Sequence, residues 1–175
     1  MKRTVSSVNK KIALCAALSA LAVVLSYLEA VSGINALMPV TGTKLGLANA
    51  AVTVTAYSVS LYAGAVVSFI RVLVMSMLFG SPTTFVFSLL GAIFAYTFIA
   101  LTKLVPETKI SLIGVSVGAS AMHMLGQLIA ACVMLADSSV IRLLPLYLAL
   151  SVVPGVLTGA LSLTVMRLLA RTRLI

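Results

Sequence analysis

Residues 12–30 read IALCAALSALAVVLSYLEA, an apolar run of the length that a helix needs to cross a membrane. The run follows Lys10 and Lys11, as a signal peptide also would. Its apolar core is longer than the roughly 7–15 residues typical of a signal peptide, so the pattern predicts a retained first transmembrane helix.

Further apolar runs follow along the whole chain. Hydrophobic residues make up 62% of the 175 residues and charged residues only 9%, whereas soluble domains carry about 25% charged residues. This composition excludes soluble enzymes and DNA-binding domains. We predict an all-α polytopic membrane protein, with residues 1–175 forming one domain of six transmembrane helices, at 12–30, 45–62, 65–79, 82–101, 110–135 and 143–169.

The distribution of charge predicts the orientation. Six crossings place most cations on one side, which the positive-inside rule assigns to the cytoplasm: Lys2, Arg3, Lys10, Lys11, Lys103, Lys109, Arg167, Arg171 and Arg173. Lys44 and Arg142 then lie outside. The expected location is the plasma membrane of a prokaryote, with both termini cytoplasmic, and the net charge of +9 needs no nucleic-acid partner. Glu29, at the outer end of the first helix, is expected to form a surface ion pair with Lys44 or Arg142 that contributes little to stability.

Arg71 lies at the middle of the third apolar run. An unpaired guanidinium in lipid costs several kcal/mol, so the side chain is expected to face the bundle interior. Two interpretations remain open from sequence. Arg71 either binds an anion or locks neighbouring helices together through hydrogen bonds.

The fifth apolar run carries a polar stripe of Ser116, Ser120, His123 and Gln127. Their spacing places all four on one face of a helix. A lone histidine with no cysteine or carboxylate at ligand spacing predicts an interhelical hydrogen-bond partner, and we expect no metal site.

The second run carries a similar stripe of Asn49, Thr53, Ala56 and Ser60, with Lys44 at its outer end. Thr53 and Ser60 are expected to bond to their own helix backbone. The Asn49 amide cannot be solvated by lipid and therefore indicates a polar interior.

Pairs of glycine recur four residues apart, at Gly114 and Gly118 and at Gly155 and Gly159. This spacing lets helices approach closely. The contact could be inside the subunit or with a partner.

Residues suited to catalysis are scarce. The three carboxylates, Glu29, Glu107 and Asp137, are far apart in sequence, so no pair is available for acid–base work or for magnesium. No phosphate-binding GxxxxGK[ST] loop occurs. We expect no enzymatic activity and no cofactor.

The stretch Pro39–Asn49, PVTGTKLGLAN, resembles the loop-to-helix signature of the Gx transporter family, whose members are also labelled heptaprenyl diphosphate synthase component I. The resemblance covers nearly the whole chain. It continues through Arg71-Val72-Leu73 with Ser76, Leu78-Phe79-Gly80, Ser111 with Ile113-Gly114-Val115-Ser116, and Ala121 with His123 and Gly126-Gln127.

That family is similar to the substrate-binding S components of energy-coupling factor (ECF) transporters. The resemblance implies a transmembrane coupling subunit and two cytoplasmic ATPases as partners. It implies that the loop from Val31 to Lys44 closes over a substrate near the external face. It also implies that Ala13, Ala17 and Ala20 dock against the coupling subunit.

The sequence therefore predicts an uptake subunit that captures a small polar or anionic metabolite in a pocket lined by helices one, two, five and six. The expected substrate-binding residues are Lys44, Asn49, His123, Gln127 and Arg71. Lys44 would attract the anionic group, and the two amides would fix the orientation of the substrate. The alternative is a non-catalytic membrane subunit that supports prenyl-diphosphate or quinone synthesis, or a redox assembly. A self-contained ion-coupled transporter is disfavoured because we expect no carboxylates in the membrane interior.

Overall fold

The computed structural model describes residues 8–33, 44–105 and 110–172, and these form six α-helices and one 3-10 helix. The α-helices are α1 (Val8–Val31), α2 (Asn49–Ser58), α3 (Leu61–Phe79), α4 (Pro82–Thr102), α5 (Leu112–Leu135) and α6 (Leu144–Arg171). The 3-10 helix, Ser138–Leu143, precedes α6. The all-α prediction is confirmed.

Serine side chains cap the N-termini of three helices, α3, α4 and α5. Ser60, Ser81 and Ser111 each accept a hydrogen bond from the backbone N–H three residues further on, at 3.1–3.2 Å. Pro82 occupies the first turn of α4, where its missing N–H costs no hydrogen bond. Ser60 therefore caps α3, and the expectation that it bonds within the second helix is wrong.

Five helical stretches in the described part of the chain are long and apolar enough to span a membrane: α1, α3, α4, α5, and α6 with its 3-10 helix. The second helix is the exception. It has ten residues, about 15 Å at 1.5 Å per residue, and is shorter than the predicted span of 45–62. Residues 44–48 before it are not helical, and Gly46 there has a left-handed φ of 84°.

Helix α2 lies at the centre of the bundle and contacts each of the other five α-helices. All but one of its residues are buried, including the polar Thr53, Thr55 and Ser58. Thr55 and Ser58 donate to the carbonyl oxygens four residues before them, at 2.8 and 2.7 Å. A helix surrounded by protein has no side that faces lipid, so these hydroxyls are satisfied within the protein.

Successive helices run in opposite directions. Val54 of α2 packs beside Leu14 and Leu18 at the start of α1 and near Leu169 at the end of α6, so the start of α1 and the end of α6 share one end of the bundle. We call this the near end. At the opposite, far end, the rings of Tyr27 in α1 and Phe79 in α3 lie 5.2 Å apart.

Glycines set the close approach of α5 to both neighbours. A Cβ atom on Gly126 would lie 2.6 Å from the carbonyl oxygen of Leu90 in α4. Cβ atoms on Gly155 and Gly159 of α6 would lie 2.7 and 2.8 Å from backbone atoms of α5. The glycines of α6 therefore serve contacts inside the subunit, which the sequence left open.

Candidate functional site

The face of α1 that meets the bundle changes from apolar to polar toward the far end. Its buried residues follow a spacing of four, four, four and three: Leu14, Leu18, Ala22, Ser26 and Glu29. Residues at this spacing lie on one face of a helix. Glu29 is 3% exposed, so the expectation of a surface ion pair is wrong.

The Glu29 carboxylate binds the backbone that leads into α2. Oε1 accepts from the N–H of Gly46 at 3.0 Å, and Oε2 accepts from the N–H of Leu47 at 3.0 Å. The left-handed Gly46 directs these successive N–H groups to one side, an arrangement that favours an anion. A carboxylate next to the start of α2 also interacts favourably with the helix dipole.

Gln127 of α5 holds the same segment from the other side. Its Oε1 accepts from the N–H of Lys44 at 2.7 Å, and its Nε2 donates to the carbonyl oxygen of Lys44 at 2.9 Å. Nε2 also lies 2.6 Å from Nε2 of His123. Since the amide nitrogen can only donate, His123 Nε2 accepts and its ring is neutral, with the proton on Nδ1.

Arg71 of α3 is buried at 5% exposure and faces the interior, as the sequence predicts. Its Nε has no hydrogen-bond partner. The guanidinium is close enough to Glu29 and Lys44 for electrostatic interaction with both. A guanidinium held within the membrane with an unused donor is costly, and such groups are kept mainly for function.

These groups surround a cavity of about 20 Å³. A water molecule fits such a volume, but a metabolite does not. The described residues that line the cavity are Ser26, Glu29, Lys44, Gly46, Arg71, Val72, Met75, Ser88 and His123. They come from α1, the segment before α2, α3, α4 and α5. The predicted lining by helix six is therefore corrected, since α3 and α4 take its place.

The five predicted substrate-binding residues divide into two groups. Lys44, Arg71 and His123 line the cavity. Gln127 lies behind this lining, and its amide forms hydrogen bonds with the Lys44 backbone and with His123. Asn49 is buried beside Gly46, and its Nδ2 has no partner. Sequence reasoning did not include Glu29 in the site, although its place on the buried face of α1 was a usable signal.

The other elements predicted for function are only partly visible. Residues 34–43 of the predicted lid lie outside the described residues, as do Lys2, Arg3, Glu107, Lys109 and Arg173. Ser116 and Ser120 are buried, and their hydroxyls have no partner. Ala13, Ala17 and Ala20 are exposed on the outer side of α1. Among the described residues, no three His, Cys, Asp or Glu side chains gather as a metal site would require.

A side chain at Gly46 is expected to destabilise the protein in two ways, through a close contact with His123 and through backbone strain. Gly33→Ala is the matched variant that shows the backbone strain alone. A Cβ atom there would lie 2.8 Å from Cδ2 of His123, whereas one on Gly33 would meet no described atom within 4 Å. Both glycines have positive φ, 84° and 72°. Gly33→Ala should lower the free energy of unfolding by about 1 kcal/mol through backbone strain alone. Gly46→Ala should lose about 1 kcal/mol more from the added contact.

Reversible unfolding in detergent, followed by circular dichroism, measures both losses. Equal losses for the two variants would show that the His123 ring yields freely and that Gly46 is needed only for its backbone conformation.

The fold and the site define a class: a polytopic membrane helical bundle that encloses a small cavity lined by charged and polar groups. The family model for heptaprenyl diphosphate synthase component I matches residues 18–165. The chain belongs to that family, as the sequence resemblance indicated. A search of curated proteins and a search of solved structures each found no match to the chain.

Proposed function

We propose that this protein is the substrate-binding subunit of an ECF-type uptake transporter and that it captures a small polar or anionic metabolite on the external side. The observation that carries the proposal is the buried cavity among Glu29, Lys44, Arg71 and His123. Burying three ionisable side chains and a histidine within the membrane is unfavourable unless they serve a ligand or a conformational change.

The backbone before α2 supports a capture role. It closes the cavity through hydrogen bonds to Gln127 and Glu29, which belong to two different helices. A metabolite larger than water enters only when these bonds break and residues 44–47 move. Such a segment resembles the gating loops that close over bound ligands.

The charge distribution supports the proposed orientation. The described cations at the near end are Lys10, Lys11, Lys103, Arg167 and Arg171, whereas the far end has Lys44 and Arg142. Under the positive-inside rule this distribution supports a cytoplasmic near end and a site that opens to the outside. A prokaryotic plasma membrane remains the proposed location.

The proposed partners are a transmembrane coupling subunit and two cytoplasmic ATPases. Exposed Ala13, Ala17 and Ala20 support a helix contact, because small side chains allow a neighbouring helix to approach closely. We further propose that the chain is not itself an enzyme, since Glu29 and Asp137 are the carboxylates of the described part and lie in different surroundings.

A second candidate function is a non-catalytic membrane subunit that supports prenyl-diphosphate or quinone synthesis, or a redox assembly. The family description, which names a component of a heptaprenyl diphosphate synthase, favours it. Co-purification with a soluble prenyltransferase or with redox proteins would support this candidate. Co-purification with ATPases would support the transporter subunit.

Native mass spectrometry of the purified protein tests the proposal. We expect wild type to carry one small molecule per chain, and Gln127→Ala to lose it because Lys44 is released. Asn49→Ala should also weaken retention. Ser116→Ala is the matched control on α5 and should retain the molecule, since the Ser116 hydroxyl makes no hydrogen bond.

Lys44→Met is the second variant for this test, used if Gln127→Ala does not fold. It removes the ammonium group of Lys44 and keeps the backbone hydrogen bonds to Gln127. If wild type carries only bulk lipid and no metabolite from a library raises its Tm, the binding proposal fails and the supporting-subunit function replaces it.

A further inference from the structure

The charged groups around the cavity do not balance. Glu29 contributes one negative charge, and Lys44 and Arg71 contribute one positive charge each. His123 is neutral, because its Nε2 accepts from Gln127. The group therefore has a net charge of +1 inside a bundle that spans a membrane.

Among the described residues, no other carboxylate lies beside the cavity to balance this charge. The sequence contains three acidic residues in all, and the segment between Gly33 and Lys44 has none. Asp137 is exposed at the turn after α5, where Ser139 binds both of its oxygens. Glu107 lies outside the described residues.

Arg71, one of the two cations, has a donor that makes no hydrogen bond. Arg71 is only 5% exposed and lines the cavity. Its Nε–H makes no hydrogen bond. A guanidinium offers its N–H groups in a planar fork that matches a carboxylate or a phosphate. The hydroxyl of Ser88, which is buried without a partner in the same lining, is a further donor.

We infer that the ligand of this site carries a single negative charge on a carboxylate or phosphate oxyanion, and that Arg71 and Lys44 bind this group. The inference rests on the proposed function and narrows it to a substrate class. A monoanion brings the charge of the site to zero, whereas a cation would raise it to +2. In the closed site the N–H groups of Gly46 and Leu47 already bind Glu29, so the anion of the ligand is left to Arg71 and Lys44.

Three planar probes of nearly equal size test the charge requirement: formate, formamide and formamidinium, at constant ionic strength. Inorganic phosphate, at a pH low enough that the monoanion predominates, is a fourth probe. The protein is held in neutral detergent, and unfolding is followed with a thiol-reactive dye, because Cys15 and Cys132 are free and half-buried. Formate or phosphate at ten times its Kd should raise Tm by about 4 °C, and the neutral and cationic probes should not.

Variants assign the effect to the site. Arg71→Gln should abolish the rise, and Arg71→Lys, which keeps the charge but not the fork, should retain part of it. Arg142→Gln removes a cation from the exposed 3-10 helix and should leave the rise unchanged. A rise of full size in Arg71→Gln, or an equal rise with formamide, overturns the inference.

Two outcomes separate this inference from the proposed function. If native mass spectrometry identifies a stoichiometric metabolite that is neutral or cationic, the binding function stands and the monoanion inference is wrong. A phospholipid headgroup has the same oxyanion chemistry, so phosphatidylglycerol is added as a separate arm. Stabilisation by phosphatidylglycerol without stabilisation by formate or phosphate overturns the inference of a soluble monoanion.

Discussion

Glu29→Gln is expected to lower the free energy of unfolding by about 3–5 kcal/mol, the range seen when one member of a buried charged group is removed. The carboxylate accepts from the N–H groups of Gly46 and Leu47 and offsets the charges of Lys44 and Arg71. Glutamine keeps one acceptor oxygen but turns an N–H₂ group toward these donors. Equilibrium unfolding in mixed detergent, monitored by circular dichroism, measures the loss.

Asp137→Asn is the matched control for this prediction. It makes the same chemical change in an exposed carboxyl, and asparagine can still cap the 3-10 helix. We expect its stability to equal that of wild type. Equal stabilities for Glu29→Gln and Asp137→Asn would contradict the role assigned to Glu29.

Gly126→Ala is expected to lower the free energy of unfolding by about 3 kcal/mol, at the upper end of typical overpacking losses. Its Cβ would lie 2.6 Å from the Leu90 carbonyl oxygen and 3.0 Å from Cα of Gly91. These atoms belong to backbone, so relief requires α4 and α5 to separate. Because His123 packs against Gly91 in the same contact, ligand retention should fall together with stability.

Gly114→Ala is the control on the same helix. A Cβ there would meet its nearest neighbour, the Ser111 hydroxyl oxygen, at 3.4 Å, an ordinary contact. Alanine is the better helix former by about 1 kcal/mol, so stability should stay level or rise. A comparable loss in both variants would show that the close contact of α4 with α5 is not the cause.

Hydropathy and charge were sufficient for the long helices. Their bounds lie within a few residues of the predicted runs, because a lipid-facing helix needs apolar residues along its whole length. The same argument failed for α2. Its flanking residues 45–48 are as apolar as a helix would be, but Gly46 leaves the helical conformation and the neighbouring backbone binds side chains of α1 and α5.

The part of the site that lies on a single helix, α5, was predictable from the sequence. The stripe of Ser116, Ser120, His123 and Gln127 is buried along its length, since four residues at helical spacing share a face. The partners across helices were not predictable. That Gln127 would bind the backbone of Lys44, 83 residues earlier, depends on how the helices pack.

The burial of α2 constrains how the protein is made. A ten-residue segment with four polar residues among Asn49–Ser58 is too short and too polar to enter the bilayer by its own hydrophobicity. Four of the five helices that contact it are synthesised after it, and α6 is the last of these. The hydroxyl of Ser162 in α6 donates to the carbonyl oxygen of Ala50 at 3.3 Å. The segment thus reaches its final place only after synthesis is nearly complete, and chains truncated before α6 leave it without that support.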